Sequence, residues 1–278
     1  MLANREKKKI NYFEMLEKNL NSNNVDSSNT NSLLYKELSQ IIQNFDKMDI
    51  REIEPTTQYI HDNIFEKDLN SVINEMVMNY FRKVNEGKTE IFIKKHALEY
   101  INNLEINLQE MINWLLDNQN DSNSIYLLGY FYYHGVGVSS NMQNALELYQ
   151  KAANLENNAA QFDLANMYID GEGGDKDYEK AFELSEKLTE KEYLCGINLL
   201  GFCYDNGIGT DINPENAFSL YKKAAELGNY FAQYNIALMY EKGSGTEKSI
   251  EQAIYWFKKS AEQGDLDDQD KLEELLNE

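Results

Sequence analysis

Three histidines, two cysteines and a recurring pair of glycines are the residues whose types could do chemistry in this chain. His61, His96 and His134 are far apart and lack companion ligands at the spacing a metal site needs, so no metal site is expected. Cys195 and Cys203, the only cysteines, are too few for a disulfide framework. On one helix their eight-residue separation is roughly 12 Å along the axis, beyond the reach of a disulfide. They read as buried apolar thiols. The G-x-G pairs at 135/137, 171/173, 207/209 and 243/245 suggest phosphate loops. However, they follow helices rather than strands and return every 36 residues, so turn chemistry accounts for them. There is no G-x-x-x-x-G-K-[ST], no kinase catalytic loop and no G-x-S-x-G. Carboxylates are abundant but fall at helix starts and on polar faces, where solvation is their ordinary role. Neither an enzyme active site nor a cofactor is expected.

Among the elements that carry these residues, one pattern returns four times at a fixed spacing of 36. Tyr132, Tyr168, Tyr204 and Tyr240 share it with Gly135, Gly171, Gly207 and Gly243, and so do Ala145, Ala181, Ala217 and Ala253. A period of this length without drift marks a solenoid of repeated supersecondary units. In the first helix of each unit a small residue, a Leu or Ile, a Gly or Ala, and a Tyr share one face, as with Ala160, Leu164, Ala165 and Tyr168. The glycine three residues after the tyrosine ends that helix in the left-handed conformation. Asn141, Asp177, Asn213 and Ser249 are good N-cap residues for the second helix, Pro214 fits the first helical position, and Gln252 can complete a capping box with Ser249. Small pairs near the end of the second helix (Ala152-Ala153, Ala224-Ala225, Ser260-Ala261) allow tight stacking. Unit two has Leu188 and Thr189 instead, which predicts a local change of stacking angle between units two and three.

The segments LGYFYYHGVGV…NALELYQKAANLE and LGFCYDNGIGT…NAFSLYKKAAELG resemble the Sel-one-like repeat (SLR), a relative of the tetratricopeptide repeat. The resemblance covers residues 124–264 as units 124–158, 159–194, 195–230 and 231–264. It implies an all-α fold: a right-handed α-solenoid of stacked antiparallel helix pairs. It also implies an adaptor role in assembling protein complexes, as in ER-associated degradation, chitin-synthase activation and bacterial host interaction. Unit four departs in having Thr246 where a hydrophobic residue is usual. Residues 50–119 resemble connectors of fungal proteins that join a kinase-like domain to such an array, although no kinase domain is present.

Outside the array, residues 1–56 are expected to be partly disordered, with an amphipathic stretch over 1–18, a polar linker over 19–32 and a helix over 32–48. A helical N-terminal cap bundle is expected over 57–119, because terminal solenoid units must cover an otherwise exposed core. It contains an apolar stripe from Leu69 to Val84 stopped by Gly87, a helix over 90–102, and one capped by Asn107 with Glu110. Residues 265–278 are expected to form an acidic capping helix with Leu272, Leu275 and Leu276 packed on unit four.

The net charge of −21 is concentrated in the array, with 12 Lys and Arg against 28 Asp and Glu from residue 120 onward. That repels phosphate backbones, so nucleic acid is not an expected partner. No stretch reaches the ~18 apolar residues of a membrane span, and the start lacks the apolar run of a signal peptide. The cytoplasm is the expected location. The nucleus is a second candidate because of the basic cluster Arg5, Lys7, Lys8 and Lys9, which reads more simply as a solvated terminus.

On the first helices, the face opposite the packing stripe should line a concave groove. It comprises Leu127, Tyr130 and His134 in unit one, Asp163, Asn166 and Asp170 in unit two, Leu199, Phe202 and Asn206 in unit three, and Asn235, Leu238 and Lys242 in unit four. Tyr126, Phe162, Asn198 and Tyr234 lie at its edge. Aromatic anchors among polar neighbours suit a protein or peptide partner. The expected function is a non-enzymatic adaptor working through this face. The alternatives are a regulatory module paired with a kinase-like protein, which would then be a partner, and a chitin-synthase-activator-like regulator. Hydrolysis of β-lactams, known in some bacterial repeat proteins, is disfavoured because that group is secreted and rich in paired cysteines.

Overall fold

The computed structural model of the chain describes residues 57–103, 106–262 and 266–276. Two compact units are distinguished, residues 1–62 and 63–278. Of the first, residues 57–62 are described, as the opening turns of a helix; the features expected over 1–18, 19–32 and 32–48 lie outside the described residues. The repeats belong to the second unit.

The described residues form twelve helices and, among them, no strand. Three precede the repeats: α1 (Thr57–Asn85), α2 (Glu90–Asn103) and α3 (Leu108–Asp117). The four units are the pairs α4 (Ser122–His134) with α5 (Met142–Asn154), α6 (Asn158–Asp170) with α7 (Tyr178–Glu190), α8 (Leu194–Asn206) with α9 (Pro214–Glu226), and α10 (Tyr230–Lys242) with α11 (Ile250–Ala261). A last helix, α12 (Leu266–Leu276), completes the set. The stacked pairs make an α-solenoid.

Each pair is closed by one device repeated at 36 residues. The first helix stops at Gly135, Gly171, Gly207 or Gly243, at φ of 66°, 75°, 68° and 71°, where a side chain would be strained. The chain then turns back so that the N–H of Asn141, Asp177, Asn213 or Ser249 donates to the carbonyl of the repeated tyrosine at 2.8–3.0 Å. The side chains of those four residues cap the second helix by accepting from Asn144, Lys180, Asn216 and Gln252 N–H. Pro214 opens α9 as expected. The second glycine of the loop joins neighbours: a Cβ on Gly173, Gly209 or Gly245 would overlap the carbonyl of Met142, Tyr178 or Pro214, in the second helix of the preceding unit. Successive units therefore meet backbone to backbone at this corner.

Leu188 takes the place of the small residue of the other units at the end of α7. Leu188 is fully buried, and the residue facing it in unit three is Gly196, where a Cβ would overlap the leucine Cβ. The equivalent positions are Ser124, Ala160 and Ala232.

At the N-terminal end α3 packs on unit one, with Leu108 and Ile112 against Gly137, the place a preceding unit's second helix would fill. Asn107 caps α3 by accepting from Gln109 N–H at 3.0 Å. At the other end, Leu275 of α12 is buried and Leu272 packs beside it. Leu276 is 55% exposed, contrary to its expected packing, because it falls on the outer side of the helix.

Candidate protein-binding face

The inner face is built from α4, α6, α8 and α10, and α1 runs across it. Asn74 Oδ1 accepts from Asn123 Nδ2 (2.7 Å), whose own Oδ1 accepts from Asn157 Nδ2 (2.7 Å). The Tyr80 ring lies 5.5 Å from Tyr126 and 5.4 Å from Tyr130, and Phe81 meets Tyr193 edge-on at 4.8 Å. At the end of α1, Asn85 Oδ1 accepts from Cys195 N–H (3.3 Å), Asn229 Nδ2 donates to Asn85 O (3.1 Å), and Tyr230 N–H donates to Glu86 O (3.1 Å). One helix thus touches the first helix of all four units, at its beginning in units one, three and four and at Asp163 in unit two. Its carbonyl end meets helix N-termini, a favourable alignment of dipoles.

The sequence signal behind this arrangement lies in the N-caps of the first helices. Asp121, Asn157, Tyr193 and Asn229 stand 36 apart; three of them cap through their own side chains, and Tyr193 does not. Asn85 supplies the missing acceptor from α1. Sequence reasoning missed this series, and its break at Tyr193 is the one clue that the cap comes from elsewhere.

Because α1 covers units one and two, the groove residues fall into three groups. Leu127, Tyr130 and Leu199 are 3–5% exposed and belong to the core, Tyr130 beneath Tyr80. His134, Asp163, Asn166 and Asp170 line one cleft of about 300 Å³, facing Tyr80, Val84, Lys88 and Ile93. Phe202, Asn206, Asn235, Leu238 and Lys242 lie on the part of units three and four beyond the end of α1. There Phe202 is 36% exposed and Leu238 half-buried. Asn235 Nδ2 donates to Asn198 Oδ1 (3.1 Å), tying the units together across this surface.

The charges on the face are largely fixed in place. Asp163 accepts from Tyr80 OH (2.6 Å) and Tyr126 OH (2.9 Å). Burial, and then Asp163 itself, push both phenols well above their ordinary range, so they remain donors. Tyr133 OH donates to Glu172 at 2.6 Å. Burial pushes the Asp205 carboxyl up, with Lys242 pulling the other way. It also pushes the thiols of Cys195 and Cys203 up to about 12 and about 11, so both are protonated at neutral pH and inert as nucleophiles. Among the described residues no group of His, Cys, Asp or Glu is placed to hold a metal ion, and no helix is long and apolar enough to cross a membrane.

By class this is a helical repeat protein, a solenoid with a partly open inner face. The family model of the Sel1 repeat matches residues 122–157, 158–193, 196–229 and 231–265, about half of the chain. The chain belongs to the Sel1 repeat family, whose members are generally non-enzymatic protein-interaction modules. Among solved structures it is similar to a Sel1 repeat protein from Oxalobacter formigenes, at 30% identity and a TM-score of 0.57, over 60% of this chain and 67% of that one. It also shares the fold of c5321, a protective antigen present in uropathogenic Escherichia coli strains and displaying an SLR fold. That likeness has 22% identity and a TM-score of 0.54, over 77% of this chain and 50% of c5321. No curated protein matches.

Proposed function

We propose that this protein is a non-enzymatic adaptor that holds a protein partner on the part of its inner face left open by α1. The observation that carries this is Phe202. It occupies the position of Tyr130, two units further on, yet it is 36% exposed where Tyr130 is sealed under Tyr80. Its unit does not use that ring to build its core, while Leu238 in the next unit lies half-buried at the equivalent place. An aromatic and an aliphatic anchor flanked by asparagine amides suit a peptide or helix of a partner.

The test is capture of partners from the protein's own cells with the wild type and with the Phe202→Ala, Leu238→Ala double variant. A protein that comes with the wild type and is depleted at least tenfold with the variant, at a melting temperature within about 3 °C of the wild type, is the expected result. Tyr130 is left intact because its removal would open the core. Equal capture by both forms would remove the inner face of units three and four as the docking surface.

A further inference from the structure

The cleft bounded by α1, the residues that follow it, units one and two and Phe231 of unit four has its own chemistry. Tyr133, Phe162 and Phe231 present rings to it, and Asp163, Asp170 and Glu172 present carboxylates. Phe231 is 41% exposed and Asp170 is exposed, so the mouth is open to solvent. At about 300 Å³ it sits at the small end of ligand sites, too small for a nucleotide or a large cofactor and suited to one long side chain. Ring faces attract cations, and carboxylates beside them supply the counter-charge in a site partly removed from water. The wall already hosts one cation, Lys88, against the three carboxylates. The surrounding molecule, at −21, brings cationic partners toward it.

We infer that this cleft receives an arginine side chain carried by the partner protein. Arginine is favoured over lysine because its planar guanidinium stacks on rings while its fork of N–H donors meets carboxylates two at a time. Asp170 and Glu172 are the acceptors, Glu172 through the oxygen that Tyr133 does not use, and Tyr133, Phe162 and Phe231 are the stacking surfaces. Asp163 is already committed to two phenols and contributes its charge. This rests on the reading of the inner face as the partner-binding surface, and adds the chemistry that it selects.

The experiment uses the full chain and a fluorescein-labelled Gly-Arg-Gly-Arg-Gly peptide at physiological ionic strength, read by fluorescence anisotropy. The same peptide with citrulline, the neutral isostere of arginine, is the control. The expected result is at least tenfold weaker binding of the citrulline peptide, and a similar loss when Asp170→Asn and Glu172→Gln are combined. Glu179→Gln with Glu186→Gln, exposed on α7, removes the same charge elsewhere and should leave the affinity within twofold. Equal losses from both charge pairs would show bulk attraction and overturn the inference, as would equal binding of the two peptides or binding of neither. Partner capture separates the two readings. A partner that still depends on Phe202 and Leu238 while the peptides are not discriminated sinks the arginine cleft alone. A discriminating cleft with capture indifferent to Phe202 and Leu238 sinks the anchor surface alone.

Discussion

Leu188 of unit two stands where units one, three and four have Ala152, Ala224 and Ser260, and Gly196 of unit three stands where units one, two and four have Ser124, Ala160 and Ala232. At Gly196 the two helices approach almost backbone to backbone, since an added Cβ would meet Leu188 Cβ, Leu188 C and Thr189 N. A trade of side-chain size appears inside units: Gly129 and Gly201, whose added Cβ atoms would lie 2.8 and 2.9 Å from the rings of Tyr149 and Tyr221, occur in the two units with a tyrosine twenty residues later. Leu188→Ala is expected to cost about 3 kcal/mol by leaving a cavity. Gly196→Ala should cost about 2 kcal/mol by overpacking, even though alanine favours the helix by about 1 kcal/mol. The double variant should lose about the two single costs combined, because alanine keeps the Cβ and the backbone that a Cβ on Gly196 meets. Urea denaturation of the four proteins measures this directly, and a loss clearly smaller than the sum would mean that the outer atoms of the leucine, rather than the backbone, keep Gly196 small.

At the scale of elements, α1 departs from a simple terminal cap, which needs only to cover the first unit. It reaches α8 and α10 through Asn85, Glu86 and Gly87, more than a hundred residues away in the chain. Asn85→Ala should therefore cost about 1 kcal/mol, the usual worth of an N-cap, although Asn85 lies on a different helix from the one that it caps. A fall of about 3 °C in melting temperature is expected, while Met78→Ala, on the exposed side of α1, should be silent. An unchanged melting temperature for Asn85→Ala would mean that water caps α8 equally well. The repeat helices, their glycine stops and the caps at Asn141, Asp177, Asn213 and Ser249 were legible because each position is written four times. The path of α1 is written once. Its apolar stripe from Leu69 to Val84 says that it packs, and nothing in that stripe says against which units. The groove suffered accordingly: Leu127 and Tyr130 have the right face and spacing for a concave lining, but helical periodicity cannot reveal that both are buried and that Tyr80 lies over Tyr130. The break in the cap series at Tyr193 carried the missing information, in a residue type rather than a period.

For the whole molecule, the consequence is cooperativity. Solenoid units contact only their neighbours, so long arrays tend to open piecemeal. The buried apolar residues here divide in that way: one cluster runs from Leu69 to Ile208, and another from Ile197 to Leu275, with the boundary inside unit three. A small cluster of Val84, Ile93 and Cys195 lies at that boundary. The end of α1 thus ties the far units to the near ones without passing through the stack. Gly87 is its critical residue: at φ +78° it lies against Tyr230 N and Phe231 N, which an added Cβ would approach to 2.8 and 3.0 Å. Gly87→Ala combines left-handed strain of roughly 1–2 kcal/mol with that clash, and should pull the staple away from unit four. Native-state hydrogen exchange is expected to show the amides of α4–α7 and α9–α11 protected by a common global opening in the wild type. In Gly87→Ala the protection of α9–α11 should fall by about 2 kcal/mol relative to α4–α7, so that units three and four open on their own. A uniform loss across both halves would instead place the coupling in the helix stack itself, and α1 would then be a passenger in the groove rather than the element that makes four repeats fold as one.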